Sequence, residues 1–260
     1  MRGSVIPWRS RSERRGCLLS NRFYLLREKL YRFKNQKRSI AVARFYKSGK
    51  GEYGEGDQFL GIPVPLVRAL IKKEREGIDL LSILEIDSFL SSPWHEERLL
   101  GVLIFVYRYE KGELQEKAKM LRAYLKAAKR GAVNNWDLVD QSAPNISGDW
   151  ILKNDRNLLD RWVDSKKLWE RRIAIVSTLT LIRNREFAKT IDYAERLLGD
   201  REDLIHKASG WMLREMGKRE ERPLREFLDR HCLKMPRTML RYAIERYPEK
   251  ERKVYLLRSC

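Results

Sequence analysis

Similar helical segments recur along this chain at nearly constant spacing, and that recurrence limits the possible folds more than any other feature. His95-Glu96-Glu97-Arg98-Leu99-Leu100, Trp169-Glu170-Arg171-Arg172-Ile173-Ala174 and Thr238-Met239-Leu240-Arg241-Tyr242-Ala243 align, with Val133 to Leu138 and Ile205 to Gly210 as weaker members. Anchored on Arg98, Trp136, Arg172, Ala208 and Arg241, the steps are 38, 36, 36 and 33 residues. A period of that length belongs to helical-pair solenoids, in which each repeat buries its apolar face only by stacking on its neighbours. Apolar spacing of the helical kind, as in Leu99, Val102, Leu103 and Val106, dominates, while alternating strand patterns are scarce. Pro and Gly fall mostly between the periodic stretches and cut the chain into predicted helices of roughly ten to eighteen residues. The expected fold is therefore all-α, a curved solenoid with one helix of each pair lining a concave wall. A compact bundle of similar helices is the alternative.

Charge is the next constraint. The 260 residues carry 55 Lys and Arg against 36 Asp and Glu, a formal net charge of +19, which favours a polyanionic partner. Residues 1–40 hold twelve of the basic side chains and only two acids, Glu13 and Glu28, so they supply more than half of the excess. Residues 1–21 read as a basic N-terminal arm, with an organellar presequence as an alternative reading. Residues 22–260 read as one solenoid domain. No window approaches the roughly 20 apolar residues that span a bilayer, so no membrane partner is expected. Cys17, Cys232 and Cys260 are few and far apart, which fits a reducing compartment; the expected location is the cytoplasm, at the nucleoid.

The chemistry concentrates in Asn134-Asn135-Trp136-Asp137-Leu138-Val139-Asp140. Helical periodicity puts Trp136 and Asp140 on one face, an indole beside a carboxylate. Such a pair suits a reaction in which positive charge builds on a sugar. A capping role for Asp140 and a core role for Trp136 are the ordinary readings of those residues taken singly. Arg171, Arg172 and Trp211, about one and two repeats further on, would come to similar heights if the repeats stack. The Gly-rich run from Gly49 to Gly61 lacks the Gly-Lys-Ser/Thr ending of a nucleotide-binding loop and reads as a flexible turn, from which Lys47 and Tyr53 could touch DNA. His95, His206 and His231 lack metal-ligand spacing, so neither a metal nor a cofactor is expected.

Four stretches together resemble the AlkD-type DNA alkylation repair glycosylases built from HEAT-like repeats, over roughly residues 25–255. They are Phe45 to Ile62, Asn134 to Asp140, Leu168 to Ala174, and Lys207 to Glu215. The resemblance implies a glycosylase that hydrolyses the bond between deoxyribose and an N3- or N7-alkylated purine in duplex DNA, leaving an abasic site. It implies that Asp140 is the catalytic carboxylate, that Trp136 and Trp211 pack against the sugar, and that Arg172 holds the DNA backbone. An alkylated base already carries the positive charge that a general acid would otherwise supply, so one carboxylate suffices. No lysine stands out as a nucleophile, and a monofunctional, monomeric enzyme is expected. A noncatalytic binder of branched or damaged DNA and a peptide-binding scaffold are the alternatives.

Overall fold

In the computed structural model, which describes residues 19–258, the chain forms sixteen α-helices and one π-helical turn. The first half runs α1 (Asn21–Tyr31), α2 (Gln36–Phe45), α3 (Val64–Lys73), α4 (Arg75–Asp79), α5 (Ile83–Leu90), α6 (His95–Lys111), α7 (Leu114–Lys129) and α8 (Trp136–Ser142). The π turn, Pro144–Gly148, leads into α9 (Asp149–Lys153), α10 (Asp160–Val163), α11 (Leu168–Arg183) and α12 (Ala188–Arg196). The chain closes with α13 (Asp203–Arg219), α14 (Glu221–His231), α15 (Arg237–Ala243) and α16 (Glu249–Arg258). None of the described helices is long and apolar enough to cross a membrane.

Burial divides the helices into two rows. Along α6 every residue from His95 to Val106 is buried, and α11 is buried almost as completely. A helix buried on all sides needs neighbours on all sides. By contrast α14 buries only Leu224, Phe227 and Leu228, the i, i+3, i+4 stripe of a helix with one face to solvent. The inner helices α6, α8, α11, α13 and α15 pack in succession, and α5, α7, α10, α12 and α14 flank them. This is the all-α helical-repeat solenoid that the recurrence predicts. Several helices are shorter than predicted, notably α8. Its register breaks where Pro144 has no N–H to donate and the Ser142 hydroxyl bonds back to the Leu138 carbonyl at 2.6 Å.

The structure also corrects the alignment of the repeats. Counting from the first residue of each inner helix, Arg98 in α6, Arg171 in α11 and His206 in α13 are all fourth. Each bonds the carbonyl six residues before it, those of Ser92, Ser165 and Asp200, at 3.0, 2.8 and 2.7 Å. Arg98 therefore corresponds to Arg171, not to Arg172. The fifth positions of α8, α11, α13 and α15 are Asp140, Arg172, Lys207 and Arg241, and that of α6 is Leu99.

Inner helices approach closely where a side chain is missing. A Cβ on Gly210 would lie 2.4 Å from the Met239 carbonyl oxygen and 2.6 Å from the Tyr242 Cβ, so α13 and α15 meet through backbone at that point. Substituting Gly210→Ala is expected to destabilise the protein by about 2 kcal/mol and to lower Tm by about 6 °C. Calorimetry checks this, and an unchanged Tm would contradict the crossing.

The predicted arm, residues 1–21, lies largely outside the described residues. Within it Leu19 and Ser20 are already fixed: the Ser20 side chain caps α1, and its N–H donates to Glu85 at 2.9 Å. Cys17 and Cys260 also fall outside the described residues, and Cys232 is buried.

Candidate active site

The site is assembled at the start of α8. Asn135 caps that helix in extended backbone, its side-chain oxygen accepting from the Trp136 N–H at 2.8 Å. Trp136 is the first helical residue and Asp140 the fifth, one turn apart on one face. Both remain partly accessible.

Asp140 faces Arg172 across the gap between α8 and α11. The guanidinium donates from Nε to Oδ1 at 3.0 Å and from Nη2 to Oδ2 at 2.8 Å, a two-pronged pair. Its third branch, Nη1, donates to the Leu204 carbonyl beside the start of α13 at 2.6 Å. The Arg172 side chain is 6% exposed and that of Asp140 14%. Burial pushes the Asp140 carboxyl above its ordinary range, and the Arg172 charge only partly restrains it. The result is a poorly solvated carboxylate whose two oxygens are each oriented by a hydrogen bond from Arg172.

Beneath Trp136 lies a second set of residues. The Tyr46 ring stacks on the indole with centroids 5.2 Å apart at 12°, and on Phe59 at 5.3 Å and 25°. Phe45, largely exposed, meets Trp136 edge-on at 5.8 Å. The Tyr46 hydroxyl donates to Asp137 Oδ2 at 3.0 Å, and the same oxygen lies 2.8 Å from His95 Nε2. The other His95 nitrogen, Nδ1, faces Asp57 at 3.5 Å, while Asp57 also pairs with Arg98 at 2.6 Å and accepts from the Asn135 amide at 3.2 Å. Burial works against charge on His95, but Asp137 and Asp57 outweigh it and raise the imidazole to about 9. Asp57 is held below the usual carboxylate range despite burial, by His95, Arg98 and Asn135.

A stability consequence follows from the raised imidazole. Its folded value of about 9 exceeds the ordinary 6.5, so its contribution is fully present below pH 6.5 and is lost as pH rises toward 9. The shift corresponds to at most about 3 kcal/mol. Urea unfolding is expected to show stability falling between pH 6.5 and 9 in the wild type and nearly flat in His95→Gln. Parallel slopes in the two proteins would contradict the assignment.

A sequence profile of the DNA alkylation repair enzyme family matches residues 26–247, most of the chain. The protein belongs to that family. Its role is accordingly in DNA alkylation repair, with DNA as partner. A solved structure described as a predicted DNA alkylation repair enzyme from Enterococcus faecalis is similar, with a TM-score of 0.65 over 83% of this chain and 97% of that one. The two share 17% identity, so this likeness speaks to the fold. No curated protein sequence matches the chain.

In this member of the family the sequence-predicted residues divide into those that meet and those that do not. Trp136, Asp140 and Arg172 come together. Three of the Arg172 N–H groups donate to Asp140 and to the Leu204 carbonyl, which holds the guanidinium against the carboxylate. Arg171 donates to Asp200 at 2.6 Å and to the Ser165 carbonyl at 2.8 Å. Trp211 stands one turn beyond Lys207 on α13, packed on the core edge, its indole N–H donating to Glu215 at 3.2 Å.

The Gly-rich loop folds back on the end of α2, the Gly54 N–H donating to the Lys47 carbonyl at 3.0 Å. Gly54 lies so close to Tyr46 that a Cβ there would be 2.6 Å from the Tyr46 carbonyl oxygen. That contact delivers Tyr53 against Trp169, ring centroids 6.2 Å apart, and into reach of Trp136 and the Lys207 charge. Lys47 is exposed at the base of the loop. With Lys37, Arg38, Arg44 and Lys50 it makes no ion pair among the described residues, whereas most cations of the inner helices are paired. The His95 network has no counterpart among the sequence-predicted residues.

Proposed function

We propose that the protein is a monofunctional DNA glycosylase that hydrolyses the N-glycosidic bond of positively charged N3- or N7-alkylated purines in duplex DNA, leaving an abasic site. The observation that carries this reading is Asp140. It is a partly accessible, poorly solvated carboxylate, fixed by two hydrogen bonds from Arg172 and one helical turn from an indole.

The chemistry asks for little more. The bond from C1′ to the purine breaks, its electron pair neutralises the cationic ring, and positive charge moves to the sugar. An anion and an aromatic face at that sugar stabilise the charge as it forms, and a water oxygen then bonds C1′ while its proton goes to solvent or to Asp140. Arg172 keeps the carboxylate aimed at the charge. Lys47 and the other exposed cations of α2 and its following loop, together with the Tyr53 hydroxyl, are assigned to the DNA backbone, and Trp211 to the far wall of the groove. A lyase step would need a neutral amine, and the ion pair with Asp203 raises Lys207, leaving it protonated. A monomer supplies every group named.

The test is release of free base. Duplex DNA carrying 7-methylguanine is incubated with the protein near pH 7.5 and the products are separated chromatographically. Release of 7-methylguanine with an intact, alkali-labile strand is the expected result. Tight duplex binding with no released base would replace the enzyme with a noncatalytic DNA-binding solenoid, and strand cleavage with a borohydride-trapped adduct would replace it with a lyase.

A further inference from the structure

We infer that His95, acting through Asp137 and Tyr46, is a positioning residue that fixes the plane of Trp136 at the candidate active site. The inference rests on the proposed glycosylase reading and adds the residues that hold its aromatic wall.

Tyr46 touches the indole over its face while its hydroxyl is tied to Asp137, and His95 holds the same Asp137 oxygen. The angle of Trp136 is thus set by a carboxylate on its own helix, a ring from the end of α2 and an imidazole from the start of α6. The groups facing His95 are Asp137 from α8, Tyr46 from the end of α2, Asp57 and the Phe59 ring from the intervening loop, and Arg98 from its own helix. Glu96, next to it, is spent on the backbone N–H groups of Leu60, Gly61 and Ile62. Only the doubly protonated ring offers an N–H to both carboxylates. The Asp57 side of that bridge is long, and Nδ1 lacks a well-formed hydrogen bond, so this side opens first when the proton leaves. Buried ion pairs add little stability over apolar packing, which directs attention to what this one aligns. The raised imidazole supports the charged state at neutral pH.

Three measurements test this. Tyr46→Phe keeps the stacked ring and removes the hydroxyl. Its single-turnover release of 7-methylguanine is expected to fall about tenfold, with the duplex Kd within about twofold of wild type. The wild-type rate is expected to fall as pH rises and His95 loses its proton, and His95→Gln is expected to lack that alkaline fall. In the free wild-type protein, the Trp136 indole N–H resonance, assigned by its loss in Trp136→Phe, is expected to shift together with the His95 ring between pH 7 and 10. The inference falls if Tyr46→Phe matches an active wild type in rate and pH profile, or if the Trp136 resonance stays fixed while His95 titrates. A wild type that releases no base refutes the proposed function instead. The resonance measurement, which needs neither activity nor a folded variant at Tyr46, then decides this inference alone.

Discussion

Asp140→Asn is expected to slow release of 7-methylguanine from duplex DNA by about 10²–10³-fold while leaving duplex affinity within a few fold. The magnitude is that of removing one preorganised electrostatic partner from a water-poor site, about 3–4 kcal/mol of barrier. The selectivity for rate follows from when the interaction forms: the bound substrate carries its charge on the base, and the sugar becomes cationic only as the bond breaks. Asparagine preserves shape and one hydrogen bond to Arg172, but leaves that buried guanidinium without a counter-charge. Some loss of Tm accompanies it for that reason. The double variant Asp140→Asn/Arg172→Met removes the orphaned charge, and is expected to recover stability but no activity. Equal release by wild type and Asp140→Asn would remove Asp140 from the mechanism.

The second large effect is expected at Arg172. Taking one partner from a buried ion pair costs about 3–5 kcal/mol, because the remaining charge is neither solvated nor matched. Arg172→Ala is therefore expected to lose most of that by urea unfolding at neutral pH. Activity adds a signature of its own. Burial already lifts Asp140 above its ordinary 3.8, with Arg172 opposing, so removing the guanidinium lifts it further. The reactive form is the ionised one, so release falls as pH is lowered through the folded value. That acid limb is expected to move upward in Arg172→Ala relative to wild type. Arg172→Lys restores the charge without the planar fork and is expected to recover the limb better than the rate. A rate lost in parallel at all pH values, with binding lost as strongly, would return Arg172 to the DNA backbone.

What the sequence reveals, and what it hides, follows from the range of each interaction. The repeat is legible because it is written locally, in apolar spacing and in the Pro and Gly between helices. Trp136 and Asp140 are legible because a helix turn brings them together within five residues. Arg171 and Arg172 are not separable by eye, since adjacent helical residues point about 100° apart and only the register decides which one faces α8. The register becomes plain once Arg98, Arg171 and His206 are seen to make the same bond. The His95 network leaves no trace at any fixed spacing, because its partners lie 42 residues away at Asp137, and Tyr46 lies 91 residues from that same acid. A lone histidine beside two acids in the sequence looks like an ordinary polar helix start.

That shared fourth-position bond bears on how such a protein varies. Each one clamps the six-residue approach to an inner helix, so the distance between a repeat's loop and its helix is set by a short internal ruler, independent of the outer helices. Insertions and drift in the outer row leave the ruler untouched. A residue gained or lost inside one of these approaches would rotate an entire inner helix by about 100° and carry a residue such as Arg172 on α11 out of alignment with Asp140. Architecture can thus persist while most side chains of the outer row turn over.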